Sequence, residues 1–446
     1  DADWNEQLSI QQHRTETEAR DVIGLCGVPK KSDGFKIGTT PDGKDLTISA
    51  GRMYVDGLLC ESEATPIPIA FVKDTSTQAV VSSVIVDGRA FQPDQWVEIS
   101  AAQKQGARLL RITAVDAEKG HLTFHANITD YQNAGAAIVR RVTTYTTQPD
   151  YPNPEYTTPS AGSSTGEASG AKQLTLMDGL YVVGLNAWKR EISALDDPRI
   201  RETALGGPDS AGRLKTVWQV NLVPVGEWDK DTAPSTGMMN ARTRPADDTK
   251  DPCLAPPKAG YRGLENQLYR VVVHTGGSRE QATIKWSRGN ASVETRIEKI
   301  EGYAITVSDI SKDKVWGFDA GQWVEIVDDE SELNGMPRQL AQIDKVDAIA
   351  REIRVKTSVA NLANRPHLKL RRWDQIGQAA TANGVRMTPD WMDLEDGIQV
   401  QFSEGTYHPG DYWLIPARTA TGEIEWPPFE LPNTRPIAQP PVGIRH

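Results

Sequence analysis

Apolar and polar residues alternate with period two along most of this 446-residue chain, the pattern of strands buried on one face. Leu46, Ile48, Met53, Val55 and Leu58-Leu59, with Gly51 and Asp56-Gly57 as turn chemistry, predict a β-hairpin over 46–61. Short β-branched runs follow over 66–86, including Val80-Val81 and Val84-Ile85-Val86. Alternating segments near 95–99, 108–115, 121–128 and 136–143 then predict four to six strands in a small antiparallel barrel or sandwich. Further strands are expected at 179–187, 214–222, 267–274, 281–287, 397–403 and 411–418.

Helical spacing is clear over 3–24, where Trp4, Leu8, Thr15, Ala19, Val22 and Ile23 form a stripe interrupted by Gln11 and Gln12. Asp3 with Glu6 opens this helix as an acidic capping box, and Gly24, Gly27 and Pro29 close it. Such a stripe either lies across its own domain or pairs with another subunit through amide hydrogen bonds. A short helix before Pro389 is expected in the connector 378–390.

Two stretches are copies of one another. Gln95-Trp96-Val97-Glu98-Ile99, Ile112, Val115-Asp116 and Ile138-Val139-Arg140-Arg141 match Gln322-Trp323-Val324-Glu325-Ile326, Ile343, Val346-Asp347 and Leu368-Lys369-Leu370-Arg371-Arg372. Asp116 to Arg140 and Asp347 to Arg371 are both 24 positions, whereas Gln95 to Val115 is 20 and Gln322 to Val346 is 24, so one loop of the second copy is four residues longer. Three aligned blocks with a matching spacing indicate duplication.

The fold class expected is mainly β: an antiparallel host scaffold with two homologous small β-barrel or sandwich insertions and one N-terminal helix. The division expected is 1–75 (helix and start of the scaffold), 76–146 (first module), 147–172 (a Pro/Ser/Gly-rich linker), 173–302 (scaffold with long loops), 303–376 (second module) and 377–446 (last strands and a Pro-rich extended tail). Residues 227–262 are expected to be a second long loop, and Gly206-Gly207-Pro208-Asp209 marks a turn-rich excursion.

Composition narrows the function. The 49 basic and 60 acidic residues leave a net charge of −11, which disfavours nucleic acid as a partner because its phosphate backbone needs a basic surface. No apolar run reaches the length of a membrane-spanning helix, so no direct membrane insertion is expected. Cys26, Cys60 and Cys253 are odd in number and far apart, neither a disulfide framework nor a metal-ligand spacing, which fits folding in a reducing cytosol. The start at Asp1 and the end at His446 suggest a piece of a longer polypeptide.

Candidate chemistry is sparse. Gly162-Ser163-Ser164-Thr165-Gly166 matches a nucleophile elbow but lacks the strand and helix that motif needs. His121 and His125 share a strand face without an evident third metal ligand. Asp328-Asp329-Glu330, Glu332 and Asn334 break calcium-loop spacing, because Leu333 stands where Gly is required, and are expected to be a solvated loop. Glu98 and Glu325, each alone in its own copy, are expected to be outward-facing strand charges rather than the paired carboxylates of a glycosidase. Trp96 and Trp323 are the candidates for exposed, sugar-binding platforms. No catalytic, cofactor-binding or metal-binding residue is assigned, no cofactor is expected, and the chain is not expected to be an enzyme.

Six separated motifs carry a resemblance across nearly the whole chain: Asp1-Ala2-Asp3-Trp4-Asn5-Glu6-Gln7, Gly51-Arg52-Met53-Tyr54-Val55-Asp56-Gly57, Ala204-Leu205-Gly206-Gly207-Pro208-Asp209, Glu265-Asn266-Gln267-Leu268-Tyr269-Arg270, Lys285-Trp286-Ser287-Arg288 and Gly410-Asp411-Tyr412-Trp413-Leu414-Ile415-Pro416-Ala417-Arg418. The sequence resembles a structural domain family, of unassigned biochemical activity, found with bacterial contractile injection systems, the phage-tail-like particles. The resemblance implies a structural part around the baseplate, spike or fibres. Its partners would be copies of itself and other particle components; the alternative is a fibre-type adhesin for a cell-surface glycan or receptor. It implies synthesis in the bacterial cytoplasm and action within a particle that reaches the outside. Read physically, Asn266 and Gln267 should satisfy loop groups, Tyr412 and Trp413 should face opposite sides of a strand, Pro416 should end that strand's ladder, and Arg418 should pair with Glu395 or Asp396.

Overall fold

The computed structural model describes residues 2–31, 34–151, 179–205, 212–228, 233–245, 259–310, 317–365, 367–377, 379–427 and 437–446. The chain is mainly β, and its two copies are closed antiparallel barrels of six strands each. In the first, the cyclic order is Trp96–Ala101, Arg108–Asp116, His121–Phe124, Gln78–Val81, Ile67–Phe71 and Ala137–Arg141. In the second it is Trp323–Val327, Leu340–Asp347, Glu352–Val355, Ala304–Val307, Glu294–Glu301 and Lys369–Trp373. Corresponding strands occupy corresponding places, and both barrels carry a β-bulge at the same point, Ile112/Ala114 and Ile343/Lys345. Val97, Ile99, Leu110, Ile112, Leu122 and Val139 fill one interior; Val324, Ile326, Ile343, Ile353 and Leu370 fill the other. Closure leaves neither sheet with a free edge.

Both barrels begin earlier than the repeat suggests, at Ile67 and Glu294 rather than 76 and 303. The closing strands Ile67–Phe71 and Glu294–Glu301 resemble each other only in supplying an inward face, so sequence identity between the copies stops short of them.

The scaffold core lies between a five-stranded sheet (Val385–Arg386, Thr283–Ser287, Gln267–Thr275, Tyr412–Arg418, Glu423–Ile424) and a three-stranded one (Met239–Thr243, Ile398–Phe402, Met392–Asp393). Tyr269, Trp286, Phe402, Tyr407 and Trp413 dominate that core, with ring centroids about 6 Å apart in tilted and edge-to-face pairs. A long two-stranded ribbon, Tyr181–Ile192 with Arg213–Pro224, packs on the hairpin Gly51–Val55/Leu58–Ser62. Asp56 and Gly57 both take positive φ (44° and 84°), the turn that matches the right-handed twist of a tight hairpin. The helix spans Ala2–Ile23. In the tail, Gln439, Val442 and Arg445 each form a bridge, to Met239, Tyr412 and Ala187 in turn, so extended chain straps the scaffold.

Some local expectations change. Among the described residues of the connector there is a short strand, Val385–Arg386, and no helix. The 227–262 segment contains the strand Met239–Thr243. Trp413 is buried and Tyr412 half-buried on opposite faces, and Asn266 Oδ1 accepts from Thr419 N–H, as expected. Pro416 lies inside its strand, where its carbonyl accepts from Glu425 N–H, so the ladder continues past it. The linker 152–178, with Gly162–Gly166, the 206–209 turn and Cys253 lie outside the described residues; Cys26 and Cys60 are free thiols, one exposed and one buried.

Arg418 pairs with Glu425 on the surface (2.6 Å) and not with Glu395. Glu395 is taken by Arg288 (2.6 Å) and by the Tyr269 hydroxyl (3.1 Å). Burial pushes its carboxyl up to about 7 despite Arg288. A raised carboxyl pKa favours folding below the ordinary value of 4.5 and loses that advantage as pH rises through 7. Relative to Glu395→Gln, the wild-type chain should therefore lose about 3 kcal/mol of unfolding free energy between those two pH values. Chemical denaturation of both proteins across that range checks this, and parallel profiles would refute it.

Candidate functional site

The two barrels display the same strand pair on their outer face, in very different surroundings. Glu98 lies opposite Arg140 in one and Glu325 opposite Arg371 in the other. In the first barrel the pair is a surface ion pair, Arg140 Nη2 to Glu98 Oε1 at 2.7 Å, with 23% of the Glu98 side chain exposed. In the second barrel the scaffold covers the face, and Glu325 keeps 4%. Lys285, from the scaffold strand Thr283–Ser287, reaches Glu325 Oε2 at 2.5 Å, and Trp373 Nε1–H donates to the same oxygen at 2.9 Å. Burial opposes ionisation of Glu325, but Lys285 and its neighbours outweigh it and hold the carboxyl below its usual range.

Arg371, released from Glu325, enters a cluster of three cations and three carboxylates. Glu332 accepts from Arg371 (2.7 Å), Arg190 (2.6 Å) and Lys369 (2.8 Å). Glu294 takes Arg371 at 2.9 Å, and Asp196 takes Arg190 at 2.5 Å and Lys369 at 2.9 Å. Arg190 and Asp196 belong to the ribbon and the turn after it, while the other four belong to the barrel, so this balanced cluster joins barrel to scaffold. Burial alone would raise the Glu332 pKa; Arg371, Lys369 and Arg190 together drive it far below the ordinary carboxylate range.

Glu332 sits in the longer loop of the second copy. That loop is only partly solvated: Asp329 and Asn334 stay open to water, whereas the side chains of Asp328 and Glu332 are largely buried, contrary to expectation. Asp328 caps a short helix, Asp329–Leu333, by accepting from Ser331 N–H, and is itself held by Arg338 (3.0 Å) and Arg365 (2.5 Å). The insertion is thus a docking element whose carboxylates are consumed by basic side chains. Glu325 faces outward from its barrel, as expected, but the scaffold buries it there, whereas Glu98 stays at the surface.

A cavity of about 520 Å³ adjoins the cluster, between the second barrel, the ribbon, the central sheet and the tail. Its size suits a small molecule. Arg270 in its wall stacks on Tyr412 at 3.7 Å and donates to Asn290 (3.3 Å), which in turn donates to Glu191 (2.6 Å). His274 also lines it; burial first, and then Lys285, pull its imidazole down to about 4, so it is neutral at physiological pH. Much of the charge around the cavity is already engaged by other protein groups, as Lys285 is by Glu325 and Arg371 is by Glu294 and Glu332.

The remaining candidates separate. His121 is half-buried and His125 exposed, and the His125 Nδ1 accepts from Arg111 N–H (2.9 Å). Among the described residues no group of three or more His, Cys, Asp or Glu could hold a metal ion. Trp96 is buried, edge-on to His125, and Trp323 packs with Val272, Leu340, Trp373 and Tyr412, so neither is an exposed platform. Arg190, Asp196 and Glu294 carry no local signal. The one legible trace of the interface is that Ile138 on the first barrel corresponds to Lys369 on the second, an apolar outer position turned basic.

This geometry defines a β-rich, two-barrel body whose second module is locked to its scaffold by buried charge. The chain belongs to a family of unknown function, DUF6519, which it matches over residues 1–89, 129–242 and 230–446. The unmatched stretch contains three consecutive strands of the first barrel, while the whole second barrel lies inside the match. No curated protein matches the chain. Among the described residues no helix is long and apolar enough to cross a membrane.

Proposed function

We propose that this protein works by assembly, as a structural part of a phage-tail-like contractile injection particle around its baseplate, spike or fibres. The observation that carries the reading is the contrast between the barrels. The second uses its Glu325–Arg371 face to join its own scaffold, and the first, among the described residues, leaves the corresponding Glu98–Arg140 pair at the surface. A module that has already formed a stable interface in one setting offers its twin to a neighbouring component in another. The particle itself is taken from the six resemblance motifs. On this reading the chain is made in the bacterial cytoplasm and acts within a particle that reaches the outside. No catalytic role is assigned on this reading, and the pairing of Glu98 with Arg140 and of Glu325 with Lys285, on different barrels, gives no support to the paired carboxylates of a glycosidase. The adhesin alternative loses its two proposed platforms with the burial of Trp96 and the packing of Trp323.

Affinity purification of the tagged full chain from its own cells tests the proposal. The chain should co-purify with sheath and baseplate components at a fixed ratio. A chain that is always recovered alone contradicts the reading.

A further inference from the structure

The N-terminal helix Ala2–Ile23 is about 33 Å long at 1.5 Å per residue, and its ion pairs to the body lie in its C-terminal half. Glu16 binds Lys189 and Arg445, Arg20 binds Asp56 at 2.6 Å, and Gly57 lies so close to the Glu16 carbonyl that an added Cβ would sit 2.4 Å away. The residues described from Trp4 to Thr15 are all exposed. A polar helix of this kind gains little from intrinsic propensity, and helices in proteins are held mainly by packing.

Trp4, Leu8, Gln11, Thr15, Glu18 and Val22 succeed one another at alternating steps of four and three, the spacing of a coiled-coil seam. At 100° per residue this seam lies about 140° around the helix from Glu16 and Arg20, well away from the body. Its apolar members are open: Trp4 is 70% exposed, Leu8 50% and Val22 79%. The other α-helices described, Thr129–Gln132 and Asp329–Leu333, are single turns and cannot cover such a seam.

We infer that the helix pairs in parallel with the same helix of a second copy of this chain. Gln11, the polar residue in the middle of the seam, is self-complementary across a two-fold axis, since an amide both donates and accepts. Gln7 falls opposite Gln12 of the partner, five positions on, as flanking residues do in a parallel pair. Arg14 stands one turn before Glu18 on the same edge, at the i,i+4 spacing from which it can reach that carboxylate once the seam closes. The antiparallel arrangement would drive each Trp4 end into the other copy's body, because the chain enters the body directly after Ile23.

This inference names a partner for the assembly reading and rests on it, but the two fail differently. The experiment is sedimentation velocity of the full chain over a concentration series, with cysteine cross-linking in a Cys26→Ser, Cys253→Ser background. A dimer is expected, and Trp4→Glu with Leu8→Glu should return it to monomer with an unchanged thermal melt. Leu8→Cys should form a covalent dimer at least about tenfold faster than His13→Cys on the opposite edge, since a disulfide needs Cβ atoms close together. A monomer at every concentration, association that survives the double substitution, or equal cross-linking at both positions overturns the pairing. If the chain still co-purifies with the particle in those cases, the assembly reading stands without it.

Discussion

Replacing Glu332 by alanine should destabilise the chain by about 3–5 kcal/mol, the cost of removing one partner from a buried ion cluster. Three cations, Arg190, Lys369 and Arg371, would then face two carboxylates, Glu294 and Asp196. The damage should be local. Amide exchange should accelerate in Trp323–Val327 and Lys369–Trp373, where the second barrel meets the scaffold, and stay unchanged in the first barrel. Adding Lys369→Ile, which copies Ile138 of the first barrel, restores two cations against two carboxylates and should recover part of the loss. The effect also has a pH sign. A carboxyl whose folded pKa is depressed stabilises the fold above its ordinary value of 4.5, and that contribution fades as pH falls towards the folded value. Wild type and Glu332→Ala should therefore converge in stability under acid. A constant difference across pH would show that packing, not charge, holds the junction.

The second large effect comes from one substitution made in both copies. Glu325→Gln leaves Lys285 buried without a counter-charge and should cost about 3–5 kcal/mol. Glu98→Gln removes a surface ion pair and should cost well under about 1 kcal/mol. The two glutamates share the same local sequence, Gln-Trp-Val-Glu-Ile, and the same register against an arginine. Any difference between the variants therefore measures the surroundings alone. Equal destabilisation in urea melts would show that the two faces are equally buried.

That pair of glutamates also shows how far sequence reasoning reaches here. The duplication is legible because barrel strands repeat their inward residues, and the spacing from Asp116 to Arg140 survives as that from Asp347 to Arg371. The hairpin at Asp56-Gly57 is legible because its turn needs those residue types. The closing strands are not: Ile67–Phe71 contains a proline and five of the eight residues of Glu294–Glu301 are charged, and only barrel closure makes them equivalent. The charged junction is less legible still. Glu332 looks like part of a solvated acidic loop because one of its partners, Arg190, lies more than a hundred residues earlier in the chain and the other two, Lys369 and Arg371, lie on a strand beyond the loop. Glu325 looks solvated because Lys285 belongs to another sheet. Periodicity says which way a side chain faces; it does not say what stands there.

The central claim is that one face of a duplicated module is used within the chain and its twin is kept for a neighbour. Carbodiimide labelling of carboxylates, compared between the free chain and the purified particle, tests it most directly. In the free chain Glu98 should label and Glu325 should not; in the particle Glu98 should become protected. Labelling of Glu98 that is as strong in the particle as in the free chain would contradict the claim.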